Sequence, residues 1–183
     1  MDEEVERKII LNLAMSLDGY IAENDGGYDW IKGDLDSQLN TLKSFDLSDF
    51  ASDVDTIVMG KTTYLENGPI TRKNFPSQKI LVASNKPLNF ELENVERIHG
   101  NIIQQILELK QTPGKNIWLF GGALLTDNFI KADIIDEYIV GIIPIILGDG
   151  KKLFLGRNPR IQLHLTGNYV MDGIVILTYE KIS

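Results

Sequence analysis

No cysteine occurs in this 183-residue chain, so a disulfide framework, a thiolate zinc site and a cysteine nucleophile are all excluded. Histidine is almost as scarce. His99 and His164 stand alone, with no carboxylate or second imidazole at ligand spacing, and no metal site is expected. No apolar run approaches the roughly 20 residues that cross a bilayer. The acidic start Met1-Asp2-Glu3-Glu4 leads into no apolar stretch of the signal-peptide kind, which predicts a cytoplasmic protein with a frayed tail. Positive charge is in the minority: 18 Lys and Arg face 26 Asp and Glu, a net −8, which disfavours nucleic acid or an anionic membrane as the main partner. Repeats, low-complexity tracts and Pro/Gly/Ser-rich linkers are missing too. What remains, 43% hydrophobic residues, suffices for one substantial core, and one domain over residues 1–183 is expected.

Strand-like and helix-like segments alternate through the first two thirds of the chain. Residues 8–17 form an apolar run of strand length that stops at Asp18-Gly19, a tight-turn dipeptide. Residues 22–33 carry turn formers in place of a period and predict a long loop of the kind that often serves function. From Asp36, a plausible N-cap, the spacing of Leu39, Leu42, Phe45 and Phe50 predicts a helix. Short strands follow at 55–59, 79–83 and 116–120, with the first turns of a helix at 61–66 and helices over 101–110 and 123–131. The last third reads as strands at 137–143, 161–170 and 174–180, the final pair joined by Met171-Asp172-Gly173. The class is therefore α/β, a mostly parallel sheet finished by an antiparallel hairpin.

Two glycine turns each follow a strand and open a helix. In Met59-Gly60-Lys61-Thr62-Thr63-Tyr64 the glycine permits close backbone approach, the helix N-terminus offers unpaired N–H groups, and Lys61 and the threonines add charge and hydroxyls, a set suited to phosphate. Phe120-Gly121-Gly122-Ala123-Leu124-Leu125 matches neither a dinucleotide fingerprint nor a Walker loop. Singly, a glycine that ends a strand is more often a plain turn. As a pair, the two point to one extended anion bridging both turns.

These residues carry a resemblance. Leu13-Ala14-Met15-Ser16-Leu17-Asp18-Gly19-Tyr20-Ile21-Ala22, then Asp29-Trp30, then Thr56 to Tyr64, then Leu119-Phe120-Gly121-Gly122 resemble, in order and spacing, the dihydrofolate-reductase-like superfamily. Pro144-Ile145-Ile146-Leu147-Gly148-Asp149-Gly150-Lys151-Lys152-Leu153-Phe154 is similar to the branch holding the RibD C-terminal reductase domain of riboflavin biosynthesis. The resemblance spans almost the whole chain and implies a three-layer fold with helices on both faces of the sheet, a homodimer, and an NADPH-dependent reductase.

Carried over residue by residue, the resemblance implies Ala14 and Ile21 beside the nicotinamide, Asp18 and Gly19 at the start of a mobile loop over the site, and Trp30 closing that loop. Gly60, Lys61, Thr62 and Thr63 would hold the phosphates, Ser84 would lie near the adenosine 2′-phosphate, and Gly121, Gly122, Ala123, Leu124 and Leu125 would line the pyrophosphate and nicotinamide side. Lys61 stands where arginine is common; a lysine is a point charge without a bidentate grip, which weakens NADPH preference over NADH. The carboxylate that binds the pterin in dihydrofolate reductases falls, by ungapped count, at Leu35, between Asp34 and Asp36. Asp18, Trp30 and Asp34 are thus the candidates for the catalytic positions, although Asp18 also reads as a plain turn residue and Trp30 equally as core. The acceptor expected is a pyrimidine- or pteridine-like heterocycle, foremost the 5-amino-6-(5-phosphoribosylamino)uracil type, whose phosphate would seek Lys32, Arg72 or Lys151. Two alternatives stay open: dihydrofolate reduction, and an NADP-binding module without turnover.

Overall fold

The computed structural model describes residues 6–88 and 92–182; the tail at residues 1–4 lies outside them. The opening apolar run forms β1 (Ile9–Ser16), which turns at Asp18-Gly19 into the short β2 (Tyr20–Ala22). A long irregular segment leads to α1 (Leu47–Ser52), and then β3 (Val54–Gly60) passes directly into α2 (Lys61–Asn74). Next come β4 (Lys79–Ala83), β5 (Val95–Ile98), α3 (Ile102–Lys110), β6 (Asn116–Gly121) and α4 (Ala123–Lys131). The chain closes with β7 (Glu137–Ile143), β8 (Lys151–Lys152), β9 (Leu163–Met171) and β10 (Ile174–Lys181).

Eight strands form one sheet in the order β5-β4-β3-β6-β1-β7-β10-β9. The first six of that order run parallel, β10 pairs antiparallel with β7, and β9 pairs antiparallel with β10. Alternation along the strands supplies both faces with apolar side chains, as a sheet covered on two sides requires. Leu11, Val58 and Leu119 pack with Ile106 of α3 and Phe129 of α4 on one face. Ile57, Met59 and Trp118 pack with Phe50 of α1 and Tyr64 of α2 on the other. Three layers result.

Gln78 ties two of these layers. Its buried side-chain amide donates to the Ala51 carbonyl at 3.0 Å and the Val54 carbonyl at 3.3 Å, joining the end of α1 to the start of β3. At Asp172-Gly173 both residues have positive φ, 51° and 82°, the geometry of the two-residue turn that suits a twisted hairpin.

One expectation is overturned. No helix begins at Asp36; helix α1 starts eleven residues later and its N-cap is Asp46, whose carboxylate accepts from the Ser48 and Asp49 amides at 2.7 and 3.2 Å. The leucine spacing is real, but local polar groups claim the backbone first. Asp34 accepts from the Asp36 amide and Asp36 from the Gln38 amide, each at 2.9 Å, while the Thr41 amide donates at 3.0 Å to Val170 of β9. Leu39 and Leu42 are left in solvent. Helix α2, by contrast, runs on past Pro69 to Asn74, well beyond the first turns that the sequence predicts.

Candidate active site

Adjacent strands β3 and β6 send their helices to opposite faces of the sheet, α2 towards Tyr64's core and α4 towards Phe129's. A crevice opens at such a switch point beyond the carboxyl ends of the strands. Here it widens into a cleft of about 1350 Å³. That exceeds the roughly 300–1,000 Å³ of a single small-molecule site and leaves room for two ligands side by side.

The two glycine turns meet in this cleft. A Cβ built on Gly122 would stand 2.8 Å from Thr63 Oγ1 and 3.9 Å from Gly60 Cα, and one on Gly60 would stand 3.8 Å from the Gly121 carbonyl oxygen. Gly122 also has φ 97° and ψ 128°, a conformation that side chains avoid. Neither Gly60 nor Gly122 caps its helix with a side chain. The leading N–H groups of α2 and α4, which have no partner within their own helices, therefore converge on one space with the positive ends of both helix dipoles. An extended anion such as a pyrophosphate fits that cradle. Lys61 stands at its edge without an ion pair among the described residues.

Of the residues singled out from sequence, Ala14, Ile21, Gly60, Lys61, Thr62, Thr63, Ser84, Gly122, Ala123, Leu124 and Leu125 line this one cleft. Gly121 lies immediately behind it, its carbonyl near Gly60. Ser84 closes a local turn, its hydroxyl donating to the Lys86 carbonyl at 2.9 Å, while Arg97 of β5 donates to the Ser84 carbonyl at 3.4 Å. The Arg97 guanidinium thus lies beside Ser84. It was not legible in the sequence, since β5 carries only Val95 and Ile98 as an apolar signal.

Asp18, Gly19, Trp30 and Asp34 stand outside the cleft. The Asp18 carboxylate accepts from the Ser16 hydroxyl at 2.6 Å and from the Leu147 and Gly148 amides at 3.0 and 2.8 Å. These donors, the Ser16 hydroxyl foremost, lower its pKa to about 2, so at neutral pH it has no proton to give. It acts as a staple between the β1–β2 turn and the 145–150 segment. The same two segments are held by Leu153 N–H to the Gly19 carbonyl, by the β2–β8 pairing, and by Asn24 to Asp149. Trp30 and Asp34 line a separate recess of about 410 Å³ with Pro144 and Ile145. Asp34 is occupied there by the turn at Gly173, where a Cβ would collide with its carboxylate.

Beyond the anion cradle the cleft spreads over the sheet itself. Ala14 of β1 pairs in register with Gly141 of β7, and these two small residues form a floor walled by Phe45, Phe75, Phe120 and Ile176. Asn12, two residues before Ala14 on the same face, is the polar group of that floor. The charged residues lining the cleft are Lys61, Glu66, Lys151 and Lys152, none of them on β1, β6, β7 or β10. The floor's own strands therefore bring no charged side chain to the cleft, and Glu66 of α2 is the carboxylate that lines it.

Comparison with known proteins agrees with this architecture. The model of the family described as RibD C-terminal domain matches residues 7–177. YwjB of Bacillus subtilis (strain 168) is 37% identical over 182 residues, covering 97% of this chain and 99% of its own, and YyaP of the same organism is 34% identical, covering 96% and 95%. Among solved structures, a putative riboflavin biosynthesis protein from Shewanella sp. PV-4 superposes with TM-score 0.78 at 26% identity, covering 96% of this chain and 99% of that one. The deaminase/5-amino-6-(5-phosphoribosylamino)uracil reductase of Thermotoga maritima gives 0.72 at 16% identity, and this chain spans 57% of its length. The fold is shared with dihydrofolate reductase from Enterococcus faecalis, solved with NADP(H), at TM-score 0.66 and 16% identity, covering 97% and 98%. Among the described residues no helix is long and apolar enough to cross a membrane. With a family model matched over nearly its whole length and two relatives above 30% identity, the chain belongs to the RibD C-terminal domain family.

Proposed function

We propose that this protein is an NADPH-dependent reductase of a pyrimidine- or pteridine-like heterocycle. The observation that carries the reading is the meeting of two uncapped helix N-termini across Gly60 and Gly122, too close for a Cβ at Gly122. When bound, the reduced nicotinamide supplies a hydride to the acceptor carbon. The chain's own part is geometric. Gly60 to Thr63 and Gly122 to Leu125 hold the diphosphate, Ala14 and Ile21 flank the nicotinamide, and Ser84, with the Arg97 guanidinium beside it, receives the 2′-phosphate, which favours NADPH over NADH. The floor's own strands bring no carboxylate to the cleft, and we assign the proton that completes the reduction to water.

An acceptor with a ribosyl phosphate would need a basic partner. Of Lys32, Arg72 and Lys151, only Lys151 lines the cleft, and its Nζ lies 3.9 Å from Glu66. The reading includes a homodimer, for which Ile146, 71% exposed beside Pro144, is the candidate contact. A dinucleotide-binding module without turnover is the second reading, favoured by the lack of a carboxylate on the floor's own strands. The test is a thermal melt with NADPH and with NADH, followed by loss of nicotinamide absorbance with 5-amino-6-(5-phosphoribosylamino)uracil and with dihydrofolate. A larger melting shift with NADPH and oxidation by a heterocycle support the reductase. A shift without oxidation leaves the binding module, and no shift at millimolar NADPH defeats both.

A further inference from the structure

We propose that Glu66 and Lys151 form an ionic gate across the mouth of the cleft, and that the segments around β2 and β8 move behind it as one flap. The inference rests on the reductase reading only for the ligand that passes the gate. Helix α2 supplies one rim of the mouth. Its residues Thr63, Glu66, Asn67 and Ile70 follow the i, i+3, i+4, i+7 spacing of one helix face, and all of them line the cleft. The opposite rim is built by Ile21, Ala22 and Gly26 from the segment after β1, and by Gly150 and Lys151 from the segment after β7. Beside the Asp18 staple, the Leu153–Gly19 bond and the β2–β8 pairing, the Tyr20 hydroxyl donates to the Gly148 carbonyl at 3.4 Å and Lys152 Nζ lies 5.9 Å from the centre of the Tyr20 ring. Gly150 lies so close to Ala22 that a Cβ on it would collide with the Ala22 carbonyl. Two stretches cross-tied at this many points move together as a rigid element.

Between this flap and α2 the contact is of another kind. Lys151 Nζ lies 3.9 Å from Glu66 Oε1, and the two side chains are 36% and 38% exposed. A pair so open to water adds little to the fold and biases a two-state equilibrium by roughly 1.5- to 5-fold. That strength suits a contact that breaks whenever a ligand enters or leaves. The loop is shaped to the pair at Gly26. A Cβ there would stand 2.8 Å from Glu66 Oε1 and 3.3 Å from Lys151 Nζ, so the bare glycine backbone, at φ 96°, lets the loop rest against both charges. Glu66 also stands well along α2 from Gly60, about 9 Å down the helix axis, which keeps it clear of the anion cradle. A ligand held in the cradle therefore leaves the pair free to close over it. Entry and exit are slowed alike, and the dissociation constant is untouched.

The test pairs stopped-flow NADPH kinetics with relaxation-dispersion NMR of the ligand-free protein. Glu66→Gln, which keeps the size and loses the charge, should raise the association and dissociation rates together, each by roughly 1.5- to 5-fold, with the melting temperature and the dissociation constant level. Glu66→Lys combined with Lys151→Glu, which reverses the pair, should bring both rates back. Without ligand, the amides of Ala22, Gly26 and Gly150 are expected to share one exchange rate on the μs–ms scale, with a larger open fraction in Glu66→Gln. Should Glu66→Gln not fold, Lys151→Gln takes its place with the same expectation. Wild-type rates in Glu66→Gln, a change in the dissociation constant as large as that in either rate, a reversed pair that does not restore the rates, or flap amides that exchange independently or not at all each overturn the proposal. Failure of NADPH to bind marks a failed reductase reading instead. The gate then stands or falls on the exchange of the flap amides, which needs no ligand.

Discussion

Replacing Gly122 by alanine isolates the contact on which the dinucleotide cradle depends. Two costs arise in the ligand-free protein. At φ 97°, ψ 128° a side chain is strained by about 1–3 kcal/mol, and the new methyl would stand 2.8 Å from Thr63 Oγ1. For a domain of this size 1 kcal/mol shifts the melting temperature by roughly 2–4 °C, so the strain alone lowers it by about 2–12 °C. The methyl also sits where the two helix N-termini converge. At an NADPH concentration a hundredfold above the dissociation constant, the wild type gains about 2.7 kcal/mol; a tenfold weaker variant at that concentration gains only about 1.4 kcal/mol, close to half the melting shift. Differential scanning fluorimetry with and without NADPH reads both effects. Adding Thr63→Ala removes the hydroxyl contact but not the dihedral strain, so the double variant should recover part of the ligand-free loss and no more. Gly122→Ala with the melting temperature and NADPH shift of the wild type would refute the reasoning.

Three further outcomes follow from the geometry. The Asp18 carboxyl titrates near 2 when folded against an ordinary 3.8, so its contribution is present above about pH 4 and is lost as pH falls towards 2; amide resonances of Leu147 and Gly148 should titrate in that window, and Asp18→Ala should speed their exchange at neutral pH. Thr126 has a fully buried hydroxyl without a partner, and Thr126→Val, of nearly equal volume, should leave the urea midpoint unchanged or raise it, a drop of more than 1 kcal/mol counting against the assignment. Gln78→Ala strands the Ala51 and Val54 carbonyls and is expected to cost about 1–3 kcal/mol in urea denaturation.

Strands β3 and β6 of the parallel half were legible because each is a short apolar run that stops at a glycine, where its helix begins at once. Gly60 and Gly122 could be paired from sequence for the same reason. The segment from residue 34 to 46 was not, because a leucine period looks alike whether or not a partner face exists, and the contact that decides the matter, Thr41 to Val170, joins residues 129 apart. Strand β5 was hidden by its length, and with it Arg97. Asp34 is placed by the hairpin turn rather than by its own neighbours, so counting from Trp30 could not show that it faces Gly173.

The irregular segment that replaces the expected helix has an effect of its own at the margin of the molecule. Strand β9 ends the sheet, and its outer backbone groups would otherwise invite another chain to add a strand. Thr41 bonds both the Val170 carbonyl and the Val170 amide, and Asn40 engages the Asp172 amide and carboxylate. One end of that rim is thereby sealed by the protein's own loop, and any intruding strand must first peel the loop away or start from the far end, near Leu163 to Gly167.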